Sequence, residues 1–581
     1  MTVIRDRKAS GFNAAVIFLD VNKAYDQLWR KGLLYKLKEK GVTGKMWSLV
    51  KSSLENVRRR MKAPGVELNE EIRSFTTEEG VTQGAPESPI LYSVFINDLV
   101  EVLRSKGIGV VVGGKVRPGL LFADDIALIV ESVEEVQRAL RVVTDYARKW
   151  RFSFNGKKSA VMAWGSKHFR KRIKDEVYSC TESRVPVRKE YKYLGVLITE
   201  DLKWSRHVDM IILSCKARTK SLIWKITNGR KLRPRTAIYV WNSLVRPILE
   251  YASELWAQEL TMQQEDKLEK IPISFIKKTF NLPRSTPTVV IRLENGLERM
   301  RSRWDKLAIG FLKKIGSMTE GRFARDAVDL ALRKHGLRTG WGTKIRQVLA
   351  STRTEQLAQR ISNLDDLQRV FETQEFEVDK KENELLKTSA SNLSSLAEFT
   401  AIKCWDNIDR KHAYAKTHVG RVASRYHEPY LDNWSQDKEG TRMKILARCG
   451  QLNLKAVEAR RGRAPGIAAV CTCCSANTAE TLHHFIMECP AYTNERNALN
   501  EKVIRALTVA QIGKTPGSTL DAGTFEALND NERLLFFLGK RTDLPKTDLA
   551  IDRACRKYLK RAWEIRGQVD QRLLSRLVRI G

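Results

Sequence analysis

Apolar and polar positions follow two different patterns along this chain. In the first two hundred residues, short apolar runs bounded by Gly, Pro and Asn alternate with amphipathic stretches, which is typical of strands and helices in turn. Beyond Trp204, helical periodicity dominates, so this half is predicted to be mainly α-helical. The predicted strands are Ala14–Val21, Gly107–Val112, Leu120–Val130 and Tyr193–Ile198. The predicted helices are Lys23–Lys40, Ile90–Leu103, Val133–Trp150, Ser214–Ile226, Pro234–Leu255, Glu298–Ile315 and the basic stretch Asp552–Ile580.

Two apolar runs are interrupted by carboxylates. Asp124 and Asp125 split the run Leu120–Val130, and Asp20 ends the run that starts at Ala14. A solvated hairpin turn would explain the Asp pair alone. Strands that bring all three acids to one point would instead form a two-metal site for phosphoryl transfer, because such sites need converging oxygen ligands. The backbone carbonyl of Val21 could complete the coordination of Mg²⁺, which favours oxygen ligands.

The composition narrows the class of protein. The chain has 581 residues, 42% of them hydrophobic, which predicts several globular domains. A formal net charge of +35 favours a polyanionic partner, and nucleic acid is the first candidate. No run approaches the roughly 20 apolar residues of a membrane span, so no membrane partner is expected. The nine cysteines are odd in number and mostly scattered, which fits a reducing compartment better than a disulfide framework.

One cysteine cluster is the exception. Thiolate and imidazole side chains at C-x₂-C and H-x₄-C spacing suit tetrahedral Zn²⁺. Cys473 and His483 compete for the same roles, and a coincidental cysteine-rich loop is the alternative to a metal site. The predicted zinc ligands are Cys471, Cys474, His484 and Cys489.

Five polar blocks in order resemble motifs A to E of reverse transcriptases, in the form found in non-LTR (LINE-type) retrotransposons. The resemblance covers roughly residues 11–207, and five blocks in sequence are far more specific than any one of them. It implies an α+β right-hand polymerase palm, in which an antiparallel sheet packs against helices. The blocks are Phe18–Asp26, Val81–Pro89, Phe122–Asp125, Phe154–Ser159 and Tyr193–Val196.

The resemblance assigns roles to individual residues. Asp20 and Asp124 would bridge two Mg²⁺ ions, and Asp125 would be the weaker ligand. Tyr25 would stack under the sugar of the incoming nucleotide and favour dNTPs, although a core tyrosine is the alternative. Lys158 is a candidate general acid for the departing pyrophosphate, or else a surface lysine.

Two further segments complete the expected nucleotide site. Gln83 and Gly84 are expected to begin a helix beneath the incoming base and template. Glu87 departs from the usually uncharged residue of the family and puts template positioning in doubt. The turn Tyr193–Gly195 would grip the primer strand, and His207 is expected to be structural.

The resemblance also predicts an organisation and a function. The function would be RNA-directed DNA synthesis during retrotransposition, with an RNA template, a DNA primer or target and dNTPs as partners. Two Mg²⁺ ions and one Zn²⁺ would be the cofactors, and the expected location is the nucleus after a cytoplasmic ribonucleoprotein stage. The predicted domains are a palm with the fingers largely missing (1–200), a helical thumb (201–300), a helical connector (301–450), a CCHC zinc-knuckle-like module (451–500) and a basic helical C-terminal tail (501–581).

The segment before the first motif is short. Nineteen residues precede Asp20, where the family normally has a fingers region that holds the triphosphate. The chain is therefore expected to be the C-terminal part of a longer element protein, with weak or no polymerase activity alone.

Two other functions are compatible with the sequence. One rival is an inactive or truncated nucleic-acid-binding remnant. The other is a group II intron-type maturase, against which the CCHC cluster and Trp204–His207 argue.

Overall fold

A four-stranded antiparallel sheet stands at the centre of the N-terminal half of this computed structural model. Its strand order is β6-β7-β1-β8. β1 (Ala14–Asp20) is an inner strand that pairs along both edges, and every residue from Ala14 to Leu19 is buried, so both of its faces are covered. Successive side chains point to opposite faces. Ala15, Ile17 and Leu19 therefore join one hydrophobic cluster, whereas Val16 and Phe18 join another.

The structure describes residues 1–60, 74–228, 234–286, 288, 291–292, 297, 299–333, 341–350, 437–448, 452–460, 469–511, 522–538 and 545–580. Two compact units divide these residues. The first contains residues 1–209 and 310–350, and the second contains the described residues of 210–309 and 437–580.

Helices of the first unit are α1 (Thr2–Ala9), α2 (Arg30–Glu39), α3 (Gly44–Leu54), α4 (Ser88–Ile96), α5 (Asp98–Ser105), α6 (Val133–Lys149) and α7 (Lys167–Asp175). Its other strands are β2 (Val57–Arg60), β3 (Ser74–Thr77), β4 (Val110–Val112), β5 (Lys115–Arg117), β6 (Gly119–Phe122), β7 (Asp125–Val130), β8 (Ala160–Trp164), β9 (Tyr178–Cys180), β10 (Ser183–Val185), β11 (Glu190–Tyr193) and β12 (Val196–Thr199).

Later helices are α8 (Ser205–Asn228), α9 (Pro234–Leu244), α10 (Arg246–Glu250), α11 (Ser253–Trp256), α12 (Met262–Thr279), α13 (Met300–Gly316), α14 (Phe323–Arg333), α15 (Trp341–Ala350), α16 (Lys438–Arg448), α17 (Lys455–Arg460), α18 (Thr493–Gln511), α19 (Ala522–Glu526), α20 (Asp530–Leu538) and α21 (Pro545–Ile580). None of the helices in these described segments is long and apolar enough to cross a membrane.

Several predicted elements are confirmed, with shifted boundaries. Ser132 caps α6 by accepting a hydrogen bond from the amide of Glu135 at 3.1 Å. The helix predicted from Lys23 instead begins at Arg30, because Lys23 adopts a left-handed backbone conformation that a helix does not allow. The predicted helix Ile90–Leu103 is two helices that Asn97 separates. The predicted strand Tyr193–Ile198 is a hairpin of β11 and β12.

The predicted five-part domain division stays a prediction, and the structure adds two observations to it. Helix α14 lies in the first unit, where Asp326 forms an ion pair with Arg117. The predicted connector thus has residues in both units, and its residues 351–436 lie outside the described residues. In the second unit, α21 shares one hydrophobic cluster with α16, α18, α20 and the cysteine-rich segment.

A buried lysine ties three helices of the first unit together. The Lys36 ammonium of α2 donates to Asp98 Oδ1 of α5 at 2.6 Å and to the hydroxyl of Tyr146 in α6 at 2.7 Å. It also lies 3.6 Å from the ring centroid of Trp150, a cation–π distance. Burial lowers the pKa of Lys36 to about 8, although the Asp98 carboxylate opposes this shift.

We predict a pH-dependent stability from Lys36. The unfolded chain binds this proton more tightly than the folded chain, so the Lys36 contribution to stability rises from about pH 8 to pH 10, by at most about 1.4 kcal/mol per pH unit. The Tm of the wild type should therefore rise over this range relative to Lys36→Met. Lys31→Met, an exposed site on the same helix, should keep the wild-type profile. Identical profiles for all three proteins would contradict the prediction.

Candidate active site and metal centre

The strand register brings the three predicted carboxylates to one end of the sheet. β1 and β7 pair antiparallel, with Asp20 directly opposite Asp125. β6 and β7 form a hairpin in which Ala123, with φ of 53°, makes the left-handed turn that places Asp124 next to this pair. The sequence predicted one strand over Leu120–Val130, and the turn divides it in two. The hairpin and the convergence of carboxylates are thus features of the same local structure.

The electrostatics of this site favour a bound cation. Burial raises the pKa of Asp20, and the charge of Asp124 adds to this while Lys158 opposes it. Burial also raises the pKa of Asp125, with further contributions from Asp124 and Asp20. When neighbouring carboxylates raise one another's pKa values, their surroundings hold too little positive charge to balance them. Oxygen ligands of this kind fit Mg²⁺, so the residues match the metal that the resemblance implies.

Lys158 lies beside Asp20 on a loop that is bonded to β1. Its Nζ is 3.7 Å from Asp20 Oδ2, and the lysine side chain is 69% exposed. The loop is fixed by Asn155, whose amide donates to the Asp20 carbonyl at 2.8 Å, and by Ser159, whose hydroxyl accepts from the Asp20 amide at 3.2 Å. Ser159 is fully buried and was not identified from the sequence. Lys158 is therefore positioned at the carboxylates and is also solvent-accessible.

Tyr25 and Val21 flank the carboxylates. Tyr25 is half-buried and stacks on Tyr92 with ring centroids 5.3 Å apart. Burial raises the pKa of Tyr25, and the charge of Asp124 adds to the shift. Val21 follows β1 directly and forms an isolated bridge with Phe154. Both predicted substrate-side residues thus lie next to the strand end that carries Asp20.

The prediction that Gln83 and Gly84 begin a helix is wrong. Both lie in an exposed turn, and α4 begins at Ser88. Gly84 has a φ of 90° with open space where a Cβ would be, a left-handed conformation that glycine adopts without strain and that interrupts a helix. The Val81 amide donates to the Tyr25 carbonyl at 2.7 Å. This turn is therefore anchored to the same segment as Tyr25, although it is not helical.

Arg30 holds the base of this loop, and the sequence analysis missed it. The buried guanidinium donates to the carbonyls of Leu54 at 2.9 Å, Glu79 at 2.8 Å and Gly80 at 2.8 Å, and it also bonds Thr77. Arg30 thus joins α3, β3 and the Gln83–Gly84 loop. The sequence does contain a signal for this buried role, because Arg30 falls on the same helical face as Leu33 and Leu37, which are buried. A cation at a core-facing position indicates a hydrogen-bonding role.

An aromatic residue just before motif E also meets the sheet. Tyr191 stacks on Phe18 of β1 with ring centroids 4.3 Å apart, and its hydroxyl donates to the Lys158 carbonyl at 2.8 Å. Leu194 and Gly195 form the left-handed turn between β11 and β12, where the sequence predicted one. His207 is buried, and its Nδ1 accepts from the Leu197 amide at 3.2 Å. Burial lowers the pKa of His207 to about 4, so a structural role fits it.

The four predicted zinc ligands lie together in the second unit. One ligand atom from each lies within 4.8 Å of every other. Cys471 Sγ and Cys489 Sγ are 3.9 Å apart, and Cys474 Sγ is 3.5 Å from His484 Nε2. Tetrahedral Zn²⁺ with bonds of about 2.3 Å to sulfur and 2.0 Å to nitrogen requires about 3.8 Å and 3.5 Å for these pairs. The donor set and its spacing therefore fit zinc.

Neighbouring residues separate these ligands from the competing ones. His484 Nδ1 faces Thr478 Oγ1 at 3.2 Å and Glu488 Oε2 at 3.4 Å, partners that orient a ligating imidazole through its other nitrogen. A second possible group is Cys471, Cys473 and Glu480. The Glu480 carboxylate is already bound by Arg566 at 2.7 and 2.9 Å, which leaves it poorly available for a metal. The first group is therefore the better metal site.

Residues 5–198 match the family described as reverse transcriptase (RNA-dependent DNA polymerase). This segment contains the sheet, the three carboxylates and the loops around them, so it is a polymerase domain with a palm. Its relatives are enzymes of non-LTR retrotransposons, and the segment is a reverse transcriptase domain of that LINE type.

Three similar proteins illustrate the match. The RNA-directed DNA polymerase from mobile element jockey of Drosophila funebris is 30% identical over 250 residues, which are 42% of this chain and 26% of that protein. The probable RNA-directed DNA polymerase from transposon X-element of Drosophila melanogaster is 26% identical over 41% of this chain and 25% of that protein. The Pol polyprotein from a type-1 retrotransposable element R2 of Popillia japonica is 29% identical over 28% of this chain and 22% of that protein.

The chain spans about a quarter of the length of the curated relatives that it matches first. Among solved structures, telomerase from Candida albicans in complex with a fragment of telomeric RNA has a TM-score of 0.24 and 13% identity. That match covers 62% of this chain and 52% of the telomerase chain. A TM-score this low does not establish a common arrangement of the two chains.

We predict that Asp125→Asn stabilises the metal-free protein at neutral pH. The substitution removes a charge that Asp20 and Asp124 repel, and solvent screening limits the rise in Tm to about 2 °C. Burial, with the neighbouring carboxylate charges added, raises the pKa values of Asp20 and Asp125, so the contribution of these two groups to stability grows as pH falls through those raised pKa values. Mg²⁺ should raise the Tm of the wild type more than that of Asp125→Asn.

Asp145→Asn provides the matched control for this substitution. Its carboxylate is 77% exposed on α6, so the variant should keep both the wild-type Tm and the wild-type response to Mg²⁺. A metal-free Asp125→Asn protein that melts below the wild type would refute the repulsion argument.

Proposed function

We propose that this chain is an RNA-directed DNA polymerase that adds dNTPs to a DNA 3′-hydroxyl during retrotransposition. The observation that supports this most directly is the register of β1 and β7, which sets Asp20 opposite Asp125 with Asp124 in the adjoining turn. Phosphoryl transfer by the two-metal mechanism needs this type of carboxylate cluster. An RNA template and a DNA primer or target are the partners that the proposal requires.

Asp20, Asp124 and Asp125 would hold two Mg²⁺ ions, with Asp20 and Asp124 as the bridging ligands. When bound, the ions activate the attacking 3′-hydroxyl and stabilise the leaving pyrophosphate. The Val21 carbonyl would add one further oxygen ligand. Burial of the carboxylates at the strand ends holds them in place before substrate arrives, which reduces the reorganisation needed during reaction.

Lys158 and Tyr25 would act on the nucleotide itself. Lys158 is charged, exposed and 3.7 Å from the Asp20 carboxylate, so it could donate a proton to the departing pyrophosphate. Tyr25 is held by its stack on Tyr92 and would lie under the sugar, where a 2′-hydroxyl would meet the ring. The turn with Gln83 and Gly84 would face the base and template. Arg30 would keep this turn in position through its bonds to Glu79 and Gly80.

The second unit would support this reaction through nucleic-acid contacts. The helices of residues 201–300 would serve as a thumb. The four-residue cluster Cys471, Cys474, His484 and Cys489 would bind one structural Zn²⁺, because all four positions are filled by protein ligands. A nuclear location after a cytoplasmic ribonucleoprotein stage belongs to the same proposal.

Primer extension tests the polymerase proposal. With poly(rA)·oligo(dT), dTTP and Mg²⁺, the wild-type chain should extend the primer. Asp124→Ala should lower the rate by about 10²-fold or more, the loss expected when one charge-stabilising group is removed. Asp145→Ala removes an exposed carboxylate of α6 and should have no effect.

Equal extension by the wild type and Asp124→Ala would overturn the assigned metal site. Absence of extension from every variant, together with retained RNA binding, would favour the inactive nucleic-acid-binding remnant instead.

Zinc content tests the metal centre independently of activity. The purified, reduced wild type should contain one Zn²⁺ per chain, which a chelator releases. Cys474→Ser and His484→Gln should lower zinc retention and Tm, because each removes a ligand. The adjacent variants Cys473→Ser and His483→Gln are the matched controls and should retain the metal. Loss of zinc from the controls but not from the ligand variants would reverse the assignment, and a zinc-free wild type would refute the site.

A further inference from the structure

A basic cavity lies between two helices of the second unit, separate from both sites described above. It has a volume of about 1030 Å³ and is lined by α18, α21 and Asp437. This volume is at the upper end of ligand pockets, which are typically about 300–1,000 Å³. Six cationic side chains line it, namely Lys502, Arg505, Lys546, Arg553, Arg556 and Lys557.

Three of the charged lining residues, Arg553, Arg556 and Asp437, already have partners within the protein. Arg556 is buried, and its Nε donates to Asp552 Oδ2 at 2.8 Å. Asp437 is the one acid in the lining, and its Oδ1 accepts from the Gly440 amide at 2.9 Å, which caps α16. Asp437 thus supplies a single negative charge to the lining, against the four cations that remain once Arg553 and Arg556 are set aside.

Four cations of the lining remain uncompensated. Lys502, Arg505, Lys546 and Lys557 are exposed, and the described part of the chain offers none of them an acidic partner within ion-pair distance. Like charges gathered on the facing walls of one cavity repel one another and create a positive potential there. An anion that spans the cavity would relieve this repulsion, and several regularly spaced negative charges would do so better than one.

Small apolar side chains lie between these cations. Ala506, Ala510, Ala550 and Ala554 line the cavity together with Val509, which is 62% exposed. Alanine lets a ligand backbone approach the helices closely. No aromatic side chain is among the lining residues in the described structure, so bases would find no stacking platform. The cavity chemistry therefore suits a sugar–phosphate backbone rather than base recognition.

We propose that this cavity binds the backbone of a nucleic-acid strand without sequence preference. The uncompensated cations would contact phosphates, and the alanines would face the sugars. Nucleic acid is favoured over an acidic protein because a reverse transcriptase domain precedes this unit in the same chain and the chain has a net charge of +35. The proposal goes beyond the polymerase reaction and does not depend on catalysis.

Salt-dependent binding tests this proposal on the full-length chain. The probe is a fluorescein-labelled 20-nucleotide RNA of mixed sequence, and the readout is anisotropy over a range of salt concentrations. The test variant combines Lys502→Gln, Arg505→Gln, Lys546→Gln and Lys557→Gln. Its slope of log K against log salt should be shallower by about 3 than that of the wild type, since each lost phosphate contact of a single strand contributes about 0.7.

The matched control removes the same charge from exposed lysines of the first unit, by Lys106→Gln, Lys167→Gln, Lys171→Gln and Lys174→Gln. This variant should keep a slope close to that of the wild type. Equal slopes for the two variants would overturn the proposal, because net charge alone would then explain RNA binding. Displacement of the RNA by poly(glutamate) as effectively as by unlabelled RNA would also overturn it, in favour of an acidic protein partner.

Asp124→Asn should bind the RNA with the wild-type slope, whatever its primer-extension activity. This variant tests the polymerase proposal and the cavity proposal separately. Loss of primer extension with unchanged RNA binding would bear on the carboxylate site alone.

Discussion

The pairing of Asp20 with Asp125 across two buried strands is the constraint on which the rest of the first unit depends. Two acids face each other where apolar strands end, and burial together with the neighbouring charge of Asp124 raises the pKa of both. The surroundings are arranged to hold this costly geometry. Ser159 and Asn155 bind the backbone of Asp20 from one side, and Lys158 supplies a nearby positive charge. The carboxylates are thus fixed by hydrogen bonds to the main chain, while their charged oxygens remain available.

In the second unit, contacts with α21 hold the cysteine-rich segment in place. The cysteine-rich segment contributes Leu482, Phe485 and Ile486 to the hydrophobic cluster that it shares with α21, and polar contacts with the same helix add to this packing. The Glu480 carboxylate and the Arg566 guanidinium form a buried, bidentate pair, and the Tyr558 hydroxyl donates to the Phe485 and Ile486 carbonyls at 3.0 and 2.9 Å. These contacts orient the segment that carries Cys489 and His484. The segment that the sequence predicted as a zinc-knuckle-like module thus packs into a larger helical core.

Local patterns predicted that the three carboxylates lie together, because acids at the ends of apolar runs are visible without any knowledge of tertiary contacts, whereas their role as metal ligands stays a prediction. The proposed zinc ligands were also named from spacing. The distances among Cys471, Cys474, His484 and Cys489, and the neighbours of His484 and Glu480, favour this set over the competing one. The sequence failed where a single residue overrides a periodic pattern. Lys23 turns the chain before the expected helix, and Arg30 looks like one more basic surface residue although it is buried. The packing of α14 in the first unit depends on contacts about two hundred residues apart, as between Arg117 and Asp326, which no local pattern reveals.

β1 faces two hydrophobic clusters at once, and this has a consequence for how the protein reaches its working state. Ile17 and Leu19 belong to one cluster and Val16 and Phe18 to the other. A slip of one residue against β7 would exchange these faces and bury the wrong side chain in each cluster. The same slip would move Asp20 away from Asp125. Correct packing of the two clusters therefore requires the same strand register that places Asp20 opposite Asp125. A molecule that has formed this core has also aligned its acidic residues.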